Sequence, residues 1–328
     1  MEKWQEELSN IITSLDELSK CLKLKEDDIK NASVGNALFP LQITPHYANL
    51  LSKLDDEHPL RKTILPTSVE LDSVDHLPNF EKEEEFSPIK GIRIELKGRA
   101  TILLTHFCPN HCRYCFRRYY VSKGAATLSI SDIDKIIEYI RNDTSITECC
   151  LSGGEPLIAT DKILEYLISG LAKIKHVKII RVFTRVLAVL PSRITDNLIK
   201  IFKIHPTVYF IAHFDHKDEL TAETIKASRA LVDNGIPVFG ATVLLRGIND
   251  TEGILGELFE KCIQNKIKPF YLYHCVPATG AKHFMTDIET GTKIIEKLYS
   301  RLSAICIPLY TVPLIGGKIL AMPSMPKE

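Results

Sequence analysis

The chain has 328 residues, enough to bury a large core as one barrel with an added segment or as two domains. Its 41 basic residues balance 41 acidic ones, so bulk charge recommends neither nucleic acid nor an anionic membrane as a partner. Hydrophobic and charged contents of 45% and 25% are those of a globular protein, and no apolar run approaches the roughly 18 residues that span a bilayer. The N-terminus, MEKWQEELSNIITSLDELSKC, is charged and lacks the apolar centre of a secretory signal, so a cytoplasmic location is expected. Nine cysteines, from Cys21 to Cys306, are then expected to be reduced, most of them as small core residues.

Residues 1–92 read as a polar, acidic, helical extension and linker. Helices are predicted over Trp4 to Leu22, where Leu8, Ile11, Ile12, Leu15 and Leu18 keep a helical period, and over Pro45 to Leu54. The acidic run Glu81 to Glu85 reads as solvated linker. Residues 93–290 alternate short apolar runs with amphipathic helices. Strands are predicted at Ala100–Thr105, Glu148–Ser152, Lys178–Thr184, Val208–Ala212, Val238–Leu244 and Phe270–Cys275. Helices are predicted at Ser131–Asn142, capped by Ser131, at Asp161–Ala172, and from Thr286, with Glu289 completing a capping box. Residues 291–328 hold the rest of that helix and a glycine-lysine segment. Six strands alternating with helices imply an α/β fold, a partial (β/α)6 barrel like an opened TIM barrel, with ligands at the carboxyl ends of its strands.

One cysteine group has ligand spacing. Cys108-Pro-Asn-His-Cys112-Arg-Tyr-Cys115 follows the first of these strands directly. Thiolates are the usual ligands of iron-sulfur clusters, which normally take four. Three from one loop leave the fourth iron of a 4Fe-4S cluster to a non-protein ligand such as S-adenosylmethionine (SAM). Zinc is the competing reading, with His111 or His106 as a fourth ligand, but zinc motifs usually bring a second cysteine pair. The second strand ends in Leu151-Ser-Gly153-Gly154-Glu155-Pro156, where paired glycines permit close backbone approach and Glu155 can accept from an ammonium group.

These motifs, with LPSRITDNL, AHFDH, VLLRGIND, YLYHCVPATGAKHF and GGKILAMP in the same order, resemble the lysine 2,3-aminomutase family of radical SAM enzymes. The resemblance covers nearly the whole chain. LFPLQITPHYANLL and the short C-terminus look most like the branch that supplies (R)-β-lysine for modifying elongation factor P. The cysteines that give longer members a zinc site are missing, so the resemblance implies no zinc.

It implies instead a 4Fe-4S cluster on Cys108, Cys112 and Cys115, SAM beside Tyr114, Gly153, Gly154, Glu155, Arg185 and His213, and pyridoxal 5′-phosphate (PLP) on Lys318. Arg99 matches a PLP-phosphate arginine, and Arg117 an arginine for the substrate carboxylate. The implied activity is an isomerase: a 5′-deoxyadenosyl radical initiates a 1,2-amino shift on an amino acid, L-lysine by family default. A flavodoxin- or ferredoxin-type electron donor is implied as a partner. The sequence leaves the oligomeric state open.

Four departures stand against that default. Val276 occupies the place of one lysine-binding aspartate, and IPLYTVPLIGG has no acidic residue where the second belongs. Leu96 replaces a tyrosine, and Gly240-Ala241 an Asn-Gln pair. A radical SAM enzyme acting on another amino acid or a peptide, with or without PLP, is one alternative. A non-catalytic iron-sulfur or zinc protein is the other.

Overall fold

In a computed structural model that describes residues 1–73, 80, 82–121 and 126–321, nine strands form one sheet in sequence order. They are β1 (Ile92–Leu96), β2 (Arg99–Thr105), β3 (Glu148–Gly153), β4 (Ile179–Thr184), β5 (Val208–His213), β6 (Val238–Leu244), β7 (Ile267–His274), β8 (Leu309–Leu314) and β9 (Gly317–Leu320). Pairing is parallel from β2 to β8, while β1 and β9 add antiparallel edges. The sheet curls until these edges nearly meet, with Leu96 of β1 facing Gly317 of β9. The six predicted strands are therefore all present, as β2 to β7, inside a longer sheet that makes a nearly closed barrel.

Side-chain alternation explains what this sheet encloses. Ala100, Ile102, Leu104, Cys149, Leu151, Ile180 and Val182 face outward into one apolar core. That core also takes Ile133, Ile136, Ile137 and Ile140 from helix Ile130–Asn142, and Leu164, Leu167, Ile168 and Leu171 from helix Asp161–Ala172. The opposite parity faces inward: Thr101, Cys150 and Arg181 lie in register across β2, β3 and β4, and all three line an internal cavity.

The N-terminal segment differs from its expected form. Trp4 to Leu22 is not one helix but two, α1 (Lys3–Ser9) and α2 (Leu15–Leu22). Between them Ile12 exchanges backbone hydrogen bonds with Ile43, at 2.9 and 3.0 Å, and Ser14 caps the restart. An unpredicted helix, α3 (Glu26–Leu38), follows; it buries only Ala32 and Gly35, so its sequence carries little amphipathic signal. Gly35 is there because the Thr67 backbone crosses so closely that a Cβ would lie 2.4 Å from its carbonyl oxygen. The next helix is α4 (Pro45–Ser52). Far from being merely polar, this region sends Trp4, Leu18, Leu22, Leu41, Ile43, Tyr47, Leu51, Leu60 and Ile64 into the barrel's core.

Three local expectations are corrected. Ser129, not Ser131, caps helix Ile130–Asn142, because Ser129 and Asp132 form the reciprocal pair. Asp287, not Thr286, caps helix Ile288–Arg301 by accepting from Thr290 N. The acidic run is solvated only in part: Glu83 begins a 3-10 turn and is buried, Glu84 and Glu85 are exposed, and Glu81 lies outside the described residues. Among the described residues, no helix is long and apolar enough to cross a membrane.

Candidate active site

The loop after β2 carries the three cysteines, and the N-terminal segment pins its backbone. Gln42 Nε2 donates to the Cys108 carbonyl, His111 N donates to the Gln42 carbonyl at 2.8 Å, and Arg113 N donates to the Thr63 carbonyl at 2.8 Å. The fully buried Glu70 accepts from Arg113 Nε and Nη2 at 2.8 and 2.7 Å, and from Arg118 Nη2 at 2.5 Å. Such charges are stable inside a protein only when paired and hydrogen-bonded, so this cluster fixes both sides of the Cys112–Cys115 turn. His111 stacks on Phe39 and donates through Nδ1 to the Pro40 carbonyl at 2.8 Å. Burial holds it near a pKa of about 4, so it is neutral.

Cys108, Cys112 and Cys115 all border the same cavity as free thiols of this one loop. Burial pushes all three thiols up, Cys115 to about 11, so they would ionise against the strong positive charge of a metal centre.

Gly153 and Gly154 adjoin this loop, for a reason the sequence reading did not give. Gly153 has φ +119°, and a Cβ there would lie 2.3 Å from the Thr105 oxygen; at Gly154 it would lie 2.2 Å from the Phe107 oxygen. The glycines let β3 press against the start of the cysteine loop, with Gly154 N donating to Thr105 O at 2.6 Å. Glu155 is likewise more internal than expected. Its carboxylate accepts from Leu157 N, Thr184 Oγ1 and Arg185 N at 3.1, 2.8 and 2.8 Å, tying the ends of β3 and β4 together. Burial raises it to about 7 despite those donors.

Arg185 sits in a buried ionic network that sequence reading missed. Its guanidinium donates to Asp215 and Glu219, both at 2.7 Å, and to the Tyr114 hydroxyl at 2.5 Å. Tyr114 in turn donates to Asp215, and Tyr47 of α4 donates to Glu219 at 2.7 Å. Asp215 lies inside the AHFDH motif, the one signal that could have flagged it. Arg185 Nε is buried without a hydrogen-bond partner among the described residues, and the Arg185 residue borders the cavity. His213, at the end of β5, stacks on Tyr273 with centroids 6.3 Å apart, and burial lowers it to about 4.

Lower in the barrel the chemistry changes. The expectation that all functional residues crown the carboxyl ends fails for Arg99, which opens β2, whereas Lys318, in the antiparallel β9, pairs with Pro313 near the carboxyl end of β8. Arg99 Nε pairs with Glu148 Oε1 at 3.1 Å, and Arg181 donates to the same carboxylate through Nε at 2.6 Å. Lys318 Nζ lies 3.7 Å from the Tyr271 ring centroid and 5.5 Å from that of Tyr273. Burial draws the Lys318 ammonium below its usual pKa, and Arg181 and Arg99 add to that effect, while Tyr271 opposes it. Arg117 bridges the two ends: its Nε donates to Glu83 and its Nη1 to Ser152 Oγ at 3.0 Å.

All twelve site residues named from the sequence border one cavity of about 300 Å³. Its charged lining is Arg99, Arg117, Arg181, Arg185 and Lys318 against Glu95 and Glu155. Both carboxylates are engaged, Glu155 as above and Glu95 by Arg93 at 2.5 Å. Val276 and Leu96 border the same space, whereas Ala241 packs behind it against Ile211 and Tyr271.

The sequence pattern of the Radical SAM superfamily matches residues 102–255. L-lysine 2,3-aminomutase from Clostridium subterminale is 35% identical over 98% of this chain and 78% of its own length. The chain belongs to the lysine 2,3-aminomutase family of radical SAM enzymes. L-lysine 2,3-aminomutase from Methanococcus maripaludis is 37% identical to this family member over 98% of its chain and 75% of the relative. The glutamate 2,3-aminomutase of Clostridioides difficile is 33% identical over 98% and 76%. Among solved structures, Streptococcus suis SuiB bound to S-adenosylmethionine superposes with a TM-score of 0.51 at 15% identity, over 67% of this chain and 51% of that one, a likeness of fold. As a member of this family, the aminomutase is an isomerase that uses a 4Fe-4S cluster, SAM and PLP.

Proposed function

We propose that this aminomutase moves the α-amino group of a small amino acid to the β-carbon, and that its substrate side chain carries no positive charge. The observation that carries the reading is the cavity lining: cluster thiols at one end, Lys318 between cations at the other, and, among the described residues, no uncommitted carboxylate around them. L-lysine is the family default, but a buried ε-ammonium without a counter-charge is strongly disfavoured. Val276 stands where the resemblance calls for that counter-charge.

Cys108, Cys112 and Cys115 would hold the cluster, and the unpartnered Arg185 Nε, beside Tyr114 and Gly153-Gly154, would hold SAM through its carboxylate. Lys318 would hold PLP, with Arg99 at its phosphate and Arg181 supplying a second cation nearby. When bound, cluster and SAM supply a carbon radical, and PLP supplies a ring that carries the migrating nitrogen. The lowered Lys318 pKa favours the free amine that carbonyl addition requires. Arg117, held at the cavity wall by Glu83 and Ser152, would be the cation that meets the substrate carboxylate. Tyr273 walls the reaction space with its ring, and Tyr271 stacks on it. The one-electron reductant belongs to the flavodoxin or ferredoxin class, and the reduced state of all nine cysteines suits the cytoplasm.

The test is anaerobic incubation of the reconstituted enzyme with SAM, PLP, reductant and a panel of lysine, glutamate and uncharged amino acids, scored for β-amino products. Preference for an amino acid without a side-chain cation supports the reading. Lysine as the best substrate overturns the side-chain claim, and SAM cleavage without any β-amino product overturns the amino shift.

A further inference from the structure

Outside the cavity, His58, His216 and Asp218 bring one ring nitrogen each and a carboxylate oxygen within 4.8 Å of one another. His58 caps the 3-10 turn Pro59–Thr63 of the N-terminal segment, and His216 caps the turn Lys217–Glu219 that follows β5. Asp218 Oδ2 lies 3.1 Å from His58 Nε2 and 3.0 Å from His216 Nδ1. The imidazoles meet edge to face, with centroids 4.9 Å apart.

The protonation pattern is where this triad fails as a plain hydrogen-bond group. His58 is consistent: Nδ1 accepts from Leu60 N at 3.3 Å, so Nε2 carries the proton and donates to Asp218. His216 is not. Its Nδ1 faces the Asp218 N–H at 3.4 Å, which needs a lone pair, and the Asp218 carboxylate at 3.0 Å, which needs a proton. Either tautomer leaves one contact repulsive. A cation between the three atoms removes the conflict at His216, because all three then offer lone pairs, at the cost of the Leu60 N–H contact at His58.

We propose that His58, His216 and Asp218 bind a divalent transition-metal ion, with zinc the best fit to two imidazoles and one carboxylate. Binding moves the His58 proton to Nδ1 and gives up its weak contact with Leu60 N. Asp218 and His58 are partly exposed, which leaves an approach for the ion and a position for water. The site clamps two turns that both reach the active centre. Thr63, in the first, accepts the Arg113 N–H of the cysteine loop, and Glu219, in the second, holds Arg185 and Tyr47. The metal is thus structural, fastening the N-terminal segment to the barrel beside the cluster.

The experiment uses the full chain with its iron-sulfur cluster reconstituted, so that the cluster thiols are occupied, titrated anaerobically with zinc chloride. The expected result is one zinc bound per chain with cluster iron retained. Binding should weaken by about 100-fold or more in Asp218→Asn and in His58→Ala, and stay unchanged in the neighbouring Lys217→Ala. X-ray absorption at the zinc edge of the unaltered protein gives a second readout, with nitrogen and oxygen neighbours expected. No zinc uptake, uptake that survives both substitutions, or sulfur in the zinc shell would overturn the proposal.

Discussion

The two ends of the cavity are built by opposite means. At the cysteine end, nearly every polar group is buried and committed: Glu70 to Arg113 and Arg118, Glu219 and Asp215 to Arg185, and Glu155 to three donors. At the lysine end, Arg99 and Arg181 share the carboxylate of Glu148, Lys318 Nζ lies over the Tyr271 ring, and apolar Leu96 borders the same cavity. The first arrangement holds a geometry rigidly. The second leaves positive charge available for anions and changes its specificity by single residues. The residues proposed for the radical source and those proposed for the substrate line one chamber.

Substitutions at the two ends should therefore separate two activities. Cys112→Ala should abolish the cluster and, with it, both SAM cleavage and the amino shift, as measured by iron content and by 5′-deoxyadenosine release. Lys318→Ala should reduce the amino shift to background and remove PLP absorbance, while reductive SAM cleavage persists. Loss of both activities in that variant would mean the ends are not independent.

Glu70→Gln tests how rigidly the cysteine end is held. It leaves two buried guanidinium groups facing a neutral amide, and a loss of about 3–5 kcal/mol in unfolding free energy is expected by urea titration. Val276→Asp tests the proposed substrate preference, by placing a counter-charge in an otherwise intact cavity. The kcat/KM for lysine should rise by about tenfold, as a charged hydrogen bond of about 1.5 kcal/mol allows. His213 offers a test that depends on pH. Its folded pKa of about 4 lies below the 6.5 of an exposed histidine, so the unfolded chain takes a proton in that window that the folded chain refuses. Stability should fall as pH drops from about 6.5 to about 4, less steeply in His213→Gln, as melting temperatures across that range would show.

How much of this was legible in the sequence follows the same division. The six central strands, the cysteine loop and the Gly153-Gly154 turn are local signals, carried by alternation, spacing and backbone demands within a few residues. The supports were not legible, because their partners are distant in the chain. Glu70 meets Arg113 across 43 residues, Glu83 meets Arg117 across 34, and Tyr114 meets Asp215 across 101. Any one of these reads alone as a surface charge or a core tyrosine. Helix α3 was missed because packing of Ala32 and Gly35, not an apolar stripe, secures it. Strands β8 and β9 were missed because Pro313 and Gly316-Gly317 read as loop, although Pro313 sits opposite Lys318 in the antiparallel pair that closes the sheet.

The central claim is that both ends serve one substrate molecule. It is tested most directly by incubating the reconstituted enzyme with its amino acid deuterated at the β-carbon and examining the adenosyl group of SAM by mass spectrometry. Deuterium should appear there at a rate that matches formation of the β-amino product. Product formed with the label never leaving the amino acid, or SAM cleaved with no label gained, would contradict the account.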